Sequence, residues 1–174
     1  IEETDNGLLF GFASAATRIF LSGKQSSILA SWLADGSKKK VLFDYKGTKR
    51  LLMEHGLDID GVSDDALLLA YLLNPVRRNF FVDDLVEEYL GISVTRSDPN
   101  QLIPEQDIDP SLDAWLAFSL APIMASQVVF QNQDSVYRQI ELPSSRSLAL
   151  MESVGVSIDA KLLQSLFDTL SKEV

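Results

Sequence analysis

Ala66-Leu67-Leu68-Leu69-Ala70-Tyr71-Leu72-Leu73 is an eight-residue run without a polar face. Such a segment read as a helix has no side to offer water, so the spacing predicts a helix buried all round between other layers. Ser63, Asp64 and Asp65 immediately before it are read as its opening turn, where acids favour the positive end of a helix. Asn74-Pro75 ends it. A helix enclosed in this way requires a layered fold, and 174 residues suffice to bury such a core without disulfides. The run is also the longest uninterrupted apolar stretch, whereas spanning a membrane takes about twenty residues, so no membrane partner is expected.

The flanking segments supply the layers. Leu8 to Ala13 and Thr17 to Leu21 are β-rich runs around Ser14-Ala15-Ala16 and read as a hairpin. Ser26 and Ser27 precede a helix carrying Ile28, Leu29, Trp32 and Leu33, with Gly36 as its terminator. Lys40 to Phe43 suits a short buried strand, and a helix over about 46–55 ends at Gly56. Strand, helix, strand, helix in this order predicts an α/β core with some parallel pairing. Val82 to Leu90 reads as an amphipathic helix with Leu85, Val86, Tyr89 and Leu90 inward and Gly91 as its stop. Residues 95–110 read as an exposed loop with three prolines, and a helix follows from Ser111 that Pro122 should kink or split. After Tyr137 come a helix over Arg138 to Ser153, an extended link at Val156-Ser157-Ile158, and a last helix capped by Asp159. Its stripe of Leu163, Leu166, Phe167, Leu170 and Val174 has nothing nearby to cover it. With Ile1 at the start, no initiator Met and no signal-peptide pattern, the chain reads as a piece of a longer one.

Chemistry is thinly marked. There is no cysteine and one histidine, His55, so thiolate zinc sites and cysteine nucleophiles are excluded. Acids outnumber bases 25 to 15, which speaks against a general nucleic-acid binder. The charge is uneven, however: residues 37–50 hold six Lys/Arg and one acid, while residues 54–113 hold fourteen acids and three Arg. Lys38, Lys39, Lys40, Lys46, Lys49 and Arg50 are therefore the candidate contacts to DNA phosphates. Asp83, Asp84, Glu87 and Glu88 lack the glycine turn and spacing of a calcium loop and read as a solvated face.

Three segments carry a resemblance. Gly56-Leu57-Asp58-Ile59-Asp60-Gly61-Val62-Ser63-Asp64-Asp65 running into Ala66–Pro75 resembles the middle of the 3′–5′ exonuclease domain of the bacterial family A DNA polymerases, the DNA polymerase I family. Phe80-Phe81-Val82-Asp83-Asp84-Leu85 with Tyr89-Leu90-Gly91 is a second match. Ile140-Glu141-Leu142-Pro143 followed by Met151 to Asp159 is similar to the handover into the polymerase thumb. The resemblance implies an α/β fold, a ribonuclease-H-like mixed sheet of about five strands flanked by helices, over residues 1–137. Residues 138–174 would be the first helices of the polymerase thumb. It further implies DNA replication and repair in the cytoplasm, with the polymerase domain of the same chain and DNA as partners.

Two-metal phosphoryl chemistry needs carboxylates converging on a pair of Mg²⁺ ions about 4 Å apart. Active family members place them in an Asp-x-Glu, a central Asp and a late Tyr-x-x-x-Asp. Counting back from Gly56 without gaps, the central Asp falls on Thr48, whose hydroxyl is neutral. Asp44 lies four residues, about 6 Å, away along a helix. The late helix reads Asp113-Ala114-Trp115-Leu116-Ala117-Phe118-Ser119-Leu120, and no Tyr-x-x-x-Asp occurs between residues 95 and 140. Glu2-Glu3-Thr4-Asp5 is read as a polar turn. The expectation is an inactive domain with no catalytic residue and no metal of its own, supporting a polymerase whose Mg²⁺ chemistry lies elsewhere in the parent. The alternatives are a weak exonuclease using upstream acids with Asp44 or Asp65, and a DNA- or protein-binding module. A dimer of the isolated piece is expected from the uncovered last helix.

Overall fold

The structure is a computed structural model that describes residues 1–5, 7–22, 27–94 and 109–173. Strands β1 (Glu2–Thr4), β2 (Gly7–Ala13) and β3 (Arg18–Ser22) form an antiparallel sheet in the order β1-β2-β3. The hairpin register pairs Phe10 with Leu21 and Phe12 with Ile19. Leu8 and Phe10 point into the core at the two-residue period of a half-buried strand. Glu2–Thr4 is thus a strand, not the polar turn expected: pairing of Glu3 with Leu8 and Thr4 with Gly7 gives its backbone a partner that no local propensity announces.

Helix α1 (Ser27–Ala34) leads through a turn to β4 (Lys40–Leu42). Helix α2 (Tyr45–Glu54) then carries the chain to β5 (Val62–Asp65), which pairs parallel with β4. The five strands therefore divide into an antiparallel three-stranded sheet and a parallel two-stranded one. Ser63 and Asp64 belong to β5, correcting the reading that they open a helix. Parallel pairing recruits them, Asp64 opposite Val41 and Ser63 at a register shift with its hydroxyl on the Lys40 carbonyl, and only Asp65 caps α3 (Ala66–Leu73).

A second layer follows. Helix α4 (Val82–Leu90) ends at Gly91 in the left-handed conformation, and α5 runs unbroken over Pro110–Phe130. Pro122 does not split α5. The helix keeps its buried line Leu116, Leu120, Met124 and Val128, while Pro122 itself is exposed. By length and composition α5 is long and apolar enough to cross a membrane, but that buried line lies in the core with α3 and α4. The start of α5 sits directly on β2: a Cβ at Gly11 would fall 1.8 Å from the Pro110 carbonyl oxygen, so only glycine permits this approach. The expected 95–110 loop lies, apart from Asp109 and Pro110, outside the described residues.

α3 is not enclosed on all sides. Ala66, Leu69 and Ala70 are buried against α4 and α5, but Leu67 and Leu68 are half-buried and Tyr71 is 47% exposed. Two clusters make the core. One joins α3, α4, α5 and Tyr137; the other joins Leu8, Phe10, Leu33, Tyr45, Leu52, Leu57 and Ile59.

The C-terminal part is helical: α6 (Asp134–Val136), one π-helical stretch (Tyr137–Glu141), α7 (Leu142–Val154) and α8 (Ala160–Glu173). Packing onto the core continues beyond residue 137, because α7 buries Ser145 and Ala149 where it lies along α2. Lys46 bonds Glu152 across this contact at 2.7 Å. From Met151 to Ser171 every residue is exposed. Asp159 caps α8 through the backbone N–H groups of Lys161 and Leu162, as its position predicts.

Candidate metal centre and nucleic-acid face

Asp44 and Asp65 meet where α2 and α3 begin, with Thr48 one turn further along α2. The Asp65 side chain is 1% exposed, and its carboxylate accepts three backbone N–H groups, from Asp44 (3.0 Å), Tyr45 (2.8 Å) and Leu67 (3.0 Å). One carboxylate thus caps two helices, satisfying donors that neither helix can pair internally. Burial pushes its pKa up to about 6, against the lowering effect of the three N–H groups. Its own backbone N–H donates to the phenolic oxygen of Tyr137 at 2.8 Å, and Tyr137 is fully buried. Desolvation raises the Tyr137 pKa well above the usual phenol value, so the ring remains a neutral hydroxyl.

Asp44 adopts φ 65°, and its side chain accepts the Gly47 N–H at 2.9 Å, capping α2. Thr48 sits one turn into α2, half-buried, with its backbone N–H on the Asp44 carbonyl. The late helix α5 presents buried Leu116, Ala117 and Leu120, and its Ser119 hydroxyl turns back onto the Trp115 carbonyl. In β1, Glu3 faces His55 at 3.0 Å.

A pair of Mg²⁺ ions requires several charged oxygens with free lone pairs aimed at common points. The residues present do not fit that requirement. Thr48 is neutral, Asp44 and Asp65 serve as caps, and the late helix contributes packing. Among the described residues no group of three or more His, Cys, Asp or Glu is arranged to hold a metal ion. A cleft of about 190 Å³ beside Asp44 and Asp65 is also lined by Lys46, Glu141 and Ser145.

The six basic candidates do not form one face. Lys38 and Lys39 are exposed. Lys40 is 5% exposed and points inward, its ammonium donating to the carbonyls of Asp35 (2.9 Å), Lys38 (3.0 Å) and Asp60 (2.8 Å). Burial holds its pKa below the ordinary lysine value. Lys49 is 1% exposed, paired with Asp58 and bonded to the Ile59 carbonyl at 3.1 Å. Lys40 and Lys49 are therefore withdrawn from any phosphate. Lys46 is tied to Glu152, and Arg50 lies 3.9 Å from Glu54. Sequence reasoning assigned Asp65 a cap but missed Tyr137 as its partner, 72 residues away. For Lys49 a signal existed: it falls on one helical face with Tyr45 and Leu52, both buried.

The family described as the DNA polymerase I, ribonuclease H-like domain matches residues 7–99. DNA polymerase I of Mycobacterium tuberculosis is 32% identical over 156 residues, 84% of this chain and 17% of the relative. That of Bacillus caldotenax is 31% identical over 159 residues, 83% of this chain and 17% of the relative. The chain thus spans about a sixth of the length of the curated relatives it matches. Among solved structures, the POL domain of Pol1 from M. smegmatis in complex with DNA primer-template and dNTP superposes with a TM-score of 0.78 at 26% identity. The match covers 92% of this chain and 28% of that one.

Proposed function

We propose, for a chain that belongs to the DNA polymerase I family through its ribonuclease H-like domain, that its exonuclease-like part is a metal-free scaffold that supports a polymerase domain. The observation that carries this reading is the state of the carboxylates at the family's metal positions. Thr48 replaces one of them, and the two acids nearest it, Asp44 and Asp65, are bound to backbone N–H groups as helix caps. A neutral hydroxyl cannot balance the charge of Mg²⁺, and the two carboxylates are oriented onto backbone amides rather than onto a shared metal position.

On this reading the polymerase portion begins with the helices after residue 137, with α7 docked on α2 and α8 projecting. The exposed stripe of Leu163, Leu166, Phe167 and Leu170 is the surface that the remainder of the parent covers. The parent acts on DNA in the cytoplasm, its Mg²⁺-dependent nucleotide transfer being carried by residues outside this chain. The same stripe favours self-association of the isolated chain, which sedimentation at rising concentration would detect.

A single-turnover assay tests the proposal. Excess protein meets a 3′-labelled single-stranded oligonucleotide with Mg²⁺ or Mn²⁺. No label release is expected. Metal-dependent release that survives repurification and disappears in Asp44→Asn or Asp65→Asn would overturn the scaffold reading in favour of a rebuilt nuclease.

A further inference from the structure

The basic block leaves two exposed lysines without an ion pair among the described residues, Lys38 and Lys39; Lys39 lines an aromatic cleft and Lys38 precedes it in the chain. This cleft, of about 220 Å³, lies between β2, α1, β4 and α5 and is lined by Phe12, Trp32, Leu33, Lys39, Ile59 and Phe118, among others. It shares no lining residue with the cleft at Asp44 and Asp65. Trp32 is fixed from two directions. The Phe12 ring meets it edge-on at 5.5 Å, and the buried Lys40 ammonium lies 4.8 Å from its centroid. Even so, the indole stays 39% exposed and Phe118 stays 38% exposed. An indole held in this way and left open to solvent is a preformed stacking surface, because little side-chain freedom remains to be lost on binding.

The volume is below the roughly 300 Å³ at which pockets for drug-sized ligands begin, so the cleft admits one ring system. A flat ring joined to repeating anions suits the aromatic lining, the Lys39 side chain at its edge and the exposed Lys38 next to it in the chain. We propose that this cleft stacks one base of single-stranded DNA, with the adjoining phosphates on Lys38 and Lys39. In a chain of net charge −10, local charge rather than the overall balance attracts the strand. The site goes beyond the scaffold reading and needs neither a metal nor cleavage.

Trp32 supplies its own signal. The chain has two tryptophans, so in a Trp115→Phe background the emission reports Trp32 alone. Titration with a short oligothymidylate, in a chelator so that any nuclease activity is silent, is expected to quench that emission saturably. Two phosphate contacts give a slope of log affinity against log salt of about −1.4. Lys38→Gln with Lys39→Gln is expected to flatten the slope towards zero, and Phe118→Ala to weaken binding by about tenfold. Melting curves in each case confirm an intact fold. Unchanged emission, a quench indifferent to both lysines, or equal binding of an abasic strand of the same length would each overturn the proposal. Because the chelator removes cleavage, none of these outcomes bears on the scaffold reading.

Discussion

The phenolic oxygen of Tyr137 accepts the backbone N–H of Asp65 at 2.8 Å, and both groups are buried. Through this bond the start of the C-terminal helices closes the junction at which β5 ends and two helices begin. The carboxylate of the same Asp65 holds the first amides of α2 and α3, so a single residue organises three elements.

Tyr137→Phe keeps the ring and removes only the acceptor, leaving a buried N–H unpaired. A loss of about 1–3 kcal/mol is expected in urea denaturation. A variant as stable as the parent would mean that water replaces the hydroxyl.

Acid should reveal Asp65. Its folded pKa of about 6 lies above the ordinary 3.8, so the folded state holds a proton more tightly than the unfolded chain does. The contribution of this group is then greatest below about pH 4 and is lost as pH rises through about 6, up to roughly 3 kcal/mol in all. Stability measured from pH 4 to 7 in the parent and in Asp65→Asn should differ in slope over that window, with the variant lacking the decline.

Gly47→Ala tests the cap on α2. Replacing a helical glycine by alanine ordinarily stabilises by about 1 kcal/mol. Here the new Cβ would lie 2.2 Å from the capping Asp44 Oδ2, forcing that carboxylate off the Gly47 N–H. Loss of such a cap costs about 1 kcal/mol. Thermal melts should therefore show no gain, whereas in an Asp44→Ala background, with no cap left to lose, Gly47→Ala should recover its ordinary gain of about 1 kcal/mol.

Removing Asp58 should be worse than removing it together with its partner. Asp58→Ala leaves the Lys49 ammonium buried with one carbonyl, and a loss of about 2 kcal/mol is expected, moderated because Asp58 itself is half-exposed. Lys49→Met with Asp58→Ala restores an apolar contact on the buried face of α2, and its chemical denaturation midpoint should lie above that of the single variant.

Among the described residues, limited proteolysis should cut first between residues 155 and 159. The stretch is extended and exposed, and Gly155 takes φ 70°. The fragment 1–154 keeps the α2–α7 contact and should melt within about 1 °C of the intact chain. Early cleavage inside α7 would contradict its docking on α2.

Local signals carried much of the fold. The hairpin around Ser14–Ala16 and the glycine stops of α2 and α4 follow from period, caps and turn chemistry acting over a few residues. Ser63 and Asp64 were misjudged because their preference for a helix start is local, whereas β4, some twenty residues earlier, places them in a strand. At the site the sequence offered a neutral residue, Thr48, four positions after Asp44. The roles of Asp44 and Asp65 as caps, and the inward turn of Lys40 and Lys49, depend on backbone carbonyls and amides brought together only by the fold. Helical spacing with Tyr45 and Leu52 marks the inward face of Lys49, but no spacing rule on side chains exposes the partners themselves.

The contact between Lys46 and Glu152 spans 106 residues. Helix α2 therefore finds its outer cover only when nearly the whole described chain has been made. A ribosome translating this segment must leave that face of α2 uncovered for most of that time, and contacts of such long range form late and slowly.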